Sequence, residues 1–261
     1  MADRAARVLA ERAAAVASVE IVSVSSPEDA AETVGMFSSV WGKGRGADPS
    51  TLQAIAHAGN PVLLARRDGD VLGALFSFIG WDDGLHVHSH MTAVGPVLRS
   101  AGVGFALKLA QRAECLENGI TEVRWTYDPL IRRNARFNLW KLGAVVSAFR
   151  PDFYGVLDDA VNGTDRSDRF EVSWRLDAPG AIDALAGRPT RPMRSTRPDD
   201  VALPEDFEAV RRDDPATAAA LRESSRDLFA RSIRVGTTVR FTGTGYVFDR
   251  AEAATHQEET R

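Results

Sequence analysis

The sequence predicts an α/β (α+β) fold: a mixed, mostly antiparallel central sheet flanked by helices, with a small C-terminal α/β extension. Three observations carry this. Apolar runs at 62–66, 71–79 and 85–94 follow one another across short turns, as antiparallel strands do. A glycine-led helix and then a strand–helix–strand series come directly after them. With 261 residues, 44% of them hydrophobic, the chain can bury one large core and still supply a smaller unit.

The elements justify themselves in order. Residues 1–18 are rich in Ala, Arg and Glu and read as a loosely docked N-terminal helical segment, because alanine favours helix but drives burial weakly. A strand at 19–24 ends at Ser26-Pro27-Glu28-Asp29, where a capping hydroxyl, a proline and two acids open a helix. Asp48-Pro49 opens another, and Asp68-Gly69-Asp70 marks the first hairpin. Helices are expected at 102–117 and 131–142, and strands at 120–127, from 144, and at 169–176. The prolines and glycines of 178–200 read as a linker between a main domain at 19–177 and an extension at 201–250. A helix at 215–230 and two short strands fill that extension, and 251–261 reads as a disordered tail.

Composition removes several classes. The balance 32 − 36 = −4 argues against a nucleic-acid binder. One cysteine, Cys115, excludes an internal disulfide and paired-cysteine zinc sites, and its place inside the central helix suits packing. No signal-peptide core or ~20-residue apolar run is present, so the expectation is a cytoplasmic protein with no membrane partner.

The most informative stretch is Val94-Gly95-Pro96-Val97-Leu98-Arg99-Ser100-Ala101-Gly102-Val103-Gly104-Phe105. A strand ends, the chain turns, and a helix starts at two near-adjacent glycines beside Arg99. Bare backbone N–H groups at such a start attract an anion such as a pyrophosphate. A tight turn with glycines for packing is the plain alternative. A Rossmann fingerprint fails at its third glycine, where Leu107 stands.

Val94, Pro96, Arg99, Gly102 and Gly104 instead resemble motif A of the GNAT N-acetyltransferase superfamily, and the element order over 20–176 resembles that fold. His88-Ser89-His90 before it is similar to a poorly characterised bacterial sub-family with a C-terminal extension. The resemblance implies acetyl-CoA or another acyl-CoA as co-substrate, with no metal. The pyrophosphate would lie on the backbone of Ser100, Ala101, Gly102, Val103, Gly104 and Phe105 beside Arg99. The N–H of Ala93 or Val94 would polarise the thioester carbonyl.

A base is needed, and the glutamate that related enzymes often carry on the preceding strand is absent. His90 is the first candidate and His88 the second; half-buried structural histidines, or a metal set with His86, are the alternatives. Residues 135, 141 and 143 match GNAT motif B, but the usual Asn falls on Arg132 and the usual acid Tyr on Leu139. Tyr127, a water, or unassisted thiolate departure must replace that tyrosine. Asn134 is assigned to the cofactor, and Asp128, Asn138 and Arg226 to the substrate. Each has a plain alternative: an Asp-Pro turn, a helix surface, a solvated basic face.

The resulting expectation is an N-acyltransferase (acetyl or succinyl) for a small-molecule amine, an amino acid among the candidates, attacking the thioester directly. A degenerate acyl-CoA-binding sensor and a protein N-acetyltransferase are the alternatives. The C-terminal helix and strands are candidates for a homodimer surface.

Overall fold

The computed structural model describes residues 2–44, 46–95, 101–188 and 200–250. Helix α1 (Ala2–Val16) leads into β1 (Glu20–Ser23), α2 (Pro27–Trp41) and α3 (Pro49–His57). Ser26 and Asp29 form a reciprocal capping box on α2, and Asp48 accepts from the Ser50 and Thr51 N–H groups to cap α3. Strands β2 (Val62–Arg67), β3 (Asp70–Gly80) and β4 (His86–Val94) then run antiparallel. Their first turn places Asp68 at φ 51° and Gly69 at φ 89°, the left-handed pair that matches strand twist in a two-residue hairpin.

Helix α4 (Val103–Glu117), β5 (Glu122–Tyr127), α5 (Arg132–Ala135, widening into a π-helical turn at Arg136–Lys141), β6 (Val145–Arg150) and β7 (Arg169–Arg175) complete the main unit. The seven strands are ordered β1-β2-β3-β4-β5-β7-β6, and only the β4–β5 pair is parallel. Alternate side chains serve opposite faces. Leu64 and Phe76 pack with Phe37 and Leu52 of α2 and α3. Leu63 and Leu75 pack with Val103 and Leu107 of α4.

Two expectations are corrected here. Helix α1 is not loosely docked: Ala6 and Ala10 are buried in the main core, and Arg7 donates to Glu117 of α4 at 2.8 Å. Small side chains favour this by letting two helices approach closely. The stretch read as a linker contains a helix, α6 (Pro179–Leu185), with proline in its first turn. Gly143, at φ +70°, receives it; a Cβ there would sit 2.8 Å from the Gly180 carbonyl. Residues 189–199 of that stretch, and the tail 251–261, lie outside the described residues.

The extension adds β8 (Val201–Ala202), α7 (Phe207–Asp213), α8 (Pro215–Ser232), β9 (Thr237–Phe241) and β10 (Gly245–Arg250), with its strands in a second sheet ordered β8-β10-β9. Phe207, Phe229, Phe241, Tyr246 and Phe248 join the same buried cluster as Phe170 and Trp174 of β7. The extension thus shares the main core.

Candidate active site

Strands β4 and β5 pair only at Val87↔Val123 and His88↔Arg124. Beyond that point they part, and a cleft of about 600 Å³ opens between them, reaching the start of α4. On the other edge of β4 the register steps from Phe76↔Met91 to Ser77↔Ser89, so His90 is the extra residue of a β-bulge. The bulge aims His90 into the cleft.

His90 lies against Phe76, Phe78 and Tyr154, with ring centroids 5.7, 5.9 and 6.3 Å away. Its edge is open, but this apolar wall holds its pKa below the usual range, so the ring is neutral. His88 is half-buried on Phe78 and does not line the cleft. Burial, reinforced by neighbouring His90, His86 and Lys108, pulls it down to about 4. His86 is buried, with Nδ1 2.8 Å from the Gly84 carbonyl and its ring packed on Gly80. Among the described residues, no three His, Cys, Asp or Glu side chains are grouped as metal ligands.

At the other end, Gly102 caps α4 at φ +85° with no side-chain cap. The Phe105 N–H is already given to the Gly102 carbonyl at 3.0 Å. That removes Phe105 from the expected set of backbone donors and leaves Val103 and Gly104 as first-turn donors. Phe105 still lines the cleft through its ring, which carries Lys141 Nζ 4.2 Å from its centroid. A Cβ on Gly102 would meet only Ala17 Cβ, at 3.7 Å, so backbone conformation rather than space demands glycine there. Ala93, Val94 and Asn134 line the cleft, whereas Ala101 is an exposed turn residue outside its lining. Arg99 and Ser100 lie outside the described residues. Lys108, Arg133, Arg136 and Lys141 also border the cleft against one carboxylate, Glu208, which pairs with Arg133.

Three assignments change. Tyr127 is buried and its hydroxyl lies 3.2 Å from that of Tyr246, which itself donates to the Pro129 carbonyl at 2.8 Å. Burial raises the Tyr127 pKa, so it is a poor acid. Asp128 faces away from the cleft. Arg222 grips both its oxygens at 2.8 and 2.7 Å, Arg211 adds a contact at 2.9 Å, and the Leu130 N–H closes the Asp-Pro turn at 3.0 Å. Burial opposes its ionisation, but Arg222, with Arg169 and Arg211, holds the carboxyl below its ordinary range.

Arg226 is neither solvated nor free for a substrate: it binds Asp168, and Asp152 at 2.8 Å. Asn138 is at the cleft, but its Oδ1 accepts from Trp125 Nε1 at 3.3 Å, so it positions that indole. Leu139, at the usual tyrosine position, packs against the core.

Sequence reasoning missed two features. Lys108 is a lone charge inside the apolar run Phe105-Ala106-Leu107-Lys108-Leu109, and it is buried at the wedge between the strands. That anomaly was the available signal. The second is a roof over the cleft's far end. The loop between β6 and β7 gives the Ala160 N–H to the Trp41 carbonyl (3.2 Å), sets Tyr154 Oη 3.1 Å from Thr126 Oγ1, and accepts from Arg211 at Val161 (2.8 Å).

A mixed sheet parted beside a glycine-capped helix, with an aromatic histidine wall on one side and cations on the other, defines an anion-accommodating cleft of the α/β class. No protein-family profile matches the chain, and no curated protein matches it. Among solved structures it is similar to Naa20 of Chaetomium thermophilum bound to a bisubstrate analogue (16% identity, 60% of this chain and 86% of that one, TM-score 0.49). It is also similar to yncA of Salmonella typhimurium with its cofactor acetyl-CoA (20%, 61% and 95%, TM-score 0.48). A third is the ribosomal-protein-S18-alanine N-acetyltransferase of Escherichia coli (15%, 62% and 96%, TM-score 0.48).

Proposed function

We propose that the protein is a GNAT-type N-acyltransferase that moves an acyl group from acyl-CoA to the amine of a small molecule. The observation that carries this reading is the cleft itself. It runs from the Gly102 helix start to the wedge between β4 and β5, and among its described residues four cations outnumber one carboxylate. A polyanionic thioester fits those residues: Val103 and Gly104 N–H groups for a phosphate, Lys141 and Arg136 for further negative charge. Acyl-CoA, when bound, supplies the activated carbonyl.

His90 takes the amine proton. It is neutral, aimed into the cleft by its bulge, and within reach of an acceptor arriving over the aromatic wall. A single enclosed geometry for amine and thioester supplies much of the remaining rate enhancement. The roof favours a small acceptor over a polypeptide, because the Ala160–Trp41 hydrogen bond ties the β6–β7 loop across one end of the cleft.

One observation favours a second reading, an acyl-CoA sensor without turnover: Leu139 cannot donate a proton, and Tyr127 is sealed by Tyr246. Incubation with acetyl-CoA and succinyl-CoA against an amine panel, following free thiol, separates the two. Thiol release is expected with at least one amine. Tight CoA binding with no release from any pair selects the sensor, and no CoA binding overturns both.

A further inference from the structure

On the acyltransferase reading the cleft has a base and no evident acid. Opposite the His90 wall, on the face served by α4, stands Lys108. It lines the cleft yet is only 3% exposed. Its Nζ donates to Ser89 Oγ of β4 at 2.7 Å and to Gln111 Oε1 at 3.2 Å, and lies 4.1 Å from the centroid of Trp125 on β5. Trp125 is itself fixed by Asn138. The titratable groups facing Lys108 are Cys115 on its own helix and His88 of β4, while Trp125 of β5 brings an indole and no charge. Among the described residues no carboxylate pairs with it, and the buried Gln111 Nε2 beside it has no partner.

A buried ammonium held only by neutral groups is costly. Its position makes sense where an anion forms beside it during turnover. We propose that Lys108 is the acid that protonates the thiolate leaving the acyl thioester. The acceptor nitrogen bonds to the carbonyl carbon and the C–S bond breaks, its electron pair going to sulfur. One Nζ–H proton passes to that sulfur and gives the free thiol, while the proton lost by the amine goes to His90. His90 then releases its proton to water, and neutral Lys108 regains one. Thioester plus amine thus become amide plus thiol. Burial pulls Lys108 down to about 7, below the ~8.5 of a thiol, so the transfer runs downhill.

The test compares the whole protein with Lys108→Met and Lys108→Arg, each checked for folding by circular dichroism. CoA binding is measured by calorimetry, the bound CoA thiol is titrated by its ultraviolet thiolate absorbance, and thiol release gives kcat and KM. Wild type and Lys108→Met should both bind CoA with an ordinary thiol, since Lys108 has lost its proton by the pH at which the thiol titrates. The methionine variant should lose about 10²–10⁴-fold in kcat with KM for acyl-CoA little changed. Lys108→Arg should make the bound thiol at least tenfold more acidic by keeping a charge beside it, yet recover little kcat, because guanidinium does not give up its proton. If Lys108→Met does not fold, the arginine variant decides by the same criteria. CoA binding with the same thiol titration and the same kcat in all three proteins would overturn the assignment of Lys108 alone. No CoA binding by wild type would overturn it together with the acyltransferase reading.

Discussion

Two parts of the molecule bury charge in opposite ways. Where α8 meets the end of β5, Asp128 and Asp165 are shared between Arg211 and Arg222, so each guanidinium finds a carboxylate. In the cleft, Lys108 meets a hydroxyl, an amide and an indole, and among the described residues no acid. The closed set is a fastener: Arg211 and Arg222 each pair with both carboxylates inside the fold. The open one leaves a charge for something else to answer. Burial alone does not distinguish structure from chemistry; the completeness of the partner set does.

The largest effect should come from opening the fastener. Arg222→Met leaves two buried carboxylates short of a cation and should cost about 3–5 kcal/mol in chemical denaturation. Because the Asp128 pKa is depressed, its contribution is complete above the ordinary carboxylate range near 3.9 and fades as pH falls through the lowered native value. Wild type should therefore keep this stabilisation at neutral pH and lose it only in strong acid, which a urea series against pH would show.

On the cleft side, Gly102→Val should cost roughly 1–2 kcal/mol, since a β-branched residue must adopt φ +85°. It should also weaken acyl-CoA binding by calorimetry, and a variant as stable as wild type would show that the helix start relaxes freely. A third prediction bears directly on the contrast. Lys108 titrates near 7 when folded and near 10.4 when unfolded, so the unfolded chain holds the extra proton between those values. Its share of stability should rise with pH from about 7 to 8.5, by up to about 1.4 kcal/mol per unit. Lys108→Met should flatten that slope, and an unchanged slope would mean that Lys108 is not the buried cation described. The smallest effect, about 1 kcal/mol, is expected for Tyr246→Phe, which removes the donor to Pro129 and leaves the packed ring in place.

Local chemistry made much of the fold legible. The Ser26 cap, the Asp68-Gly69 turn and the glycines before α4 each act within a few residues, and the structure has the corresponding elements. What escaped is non-local. Arg226 reads as a solvated basic face, and Arg222 goes unassigned, because Asp168 and Asp128 lie 58 and 94 residues away in sequence. The His90 bulge is a property of two strands and leaves no mark in one. The helix at Pro179–Leu185 hid among prolines and glycines because one of those prolines starts it, and its dock is the distant Gly143.

The Asp128–Arg222 pair also sets a schedule for folding. Its members are 94 residues apart, which at ~5–20 residues per second is roughly 5–20 s of synthesis. During that interval β5 can pair with β7, but Asp128 has no guanidinium and the aromatic face of β7 lacks Phe229 and Tyr246. The nascent seven-stranded unit is thus assembled around an unfinished core. Its cleft gains the Arg211 tether of the roof only when α7 arrives, so maturation should be paced by the C-terminal segment rather than by the sheet.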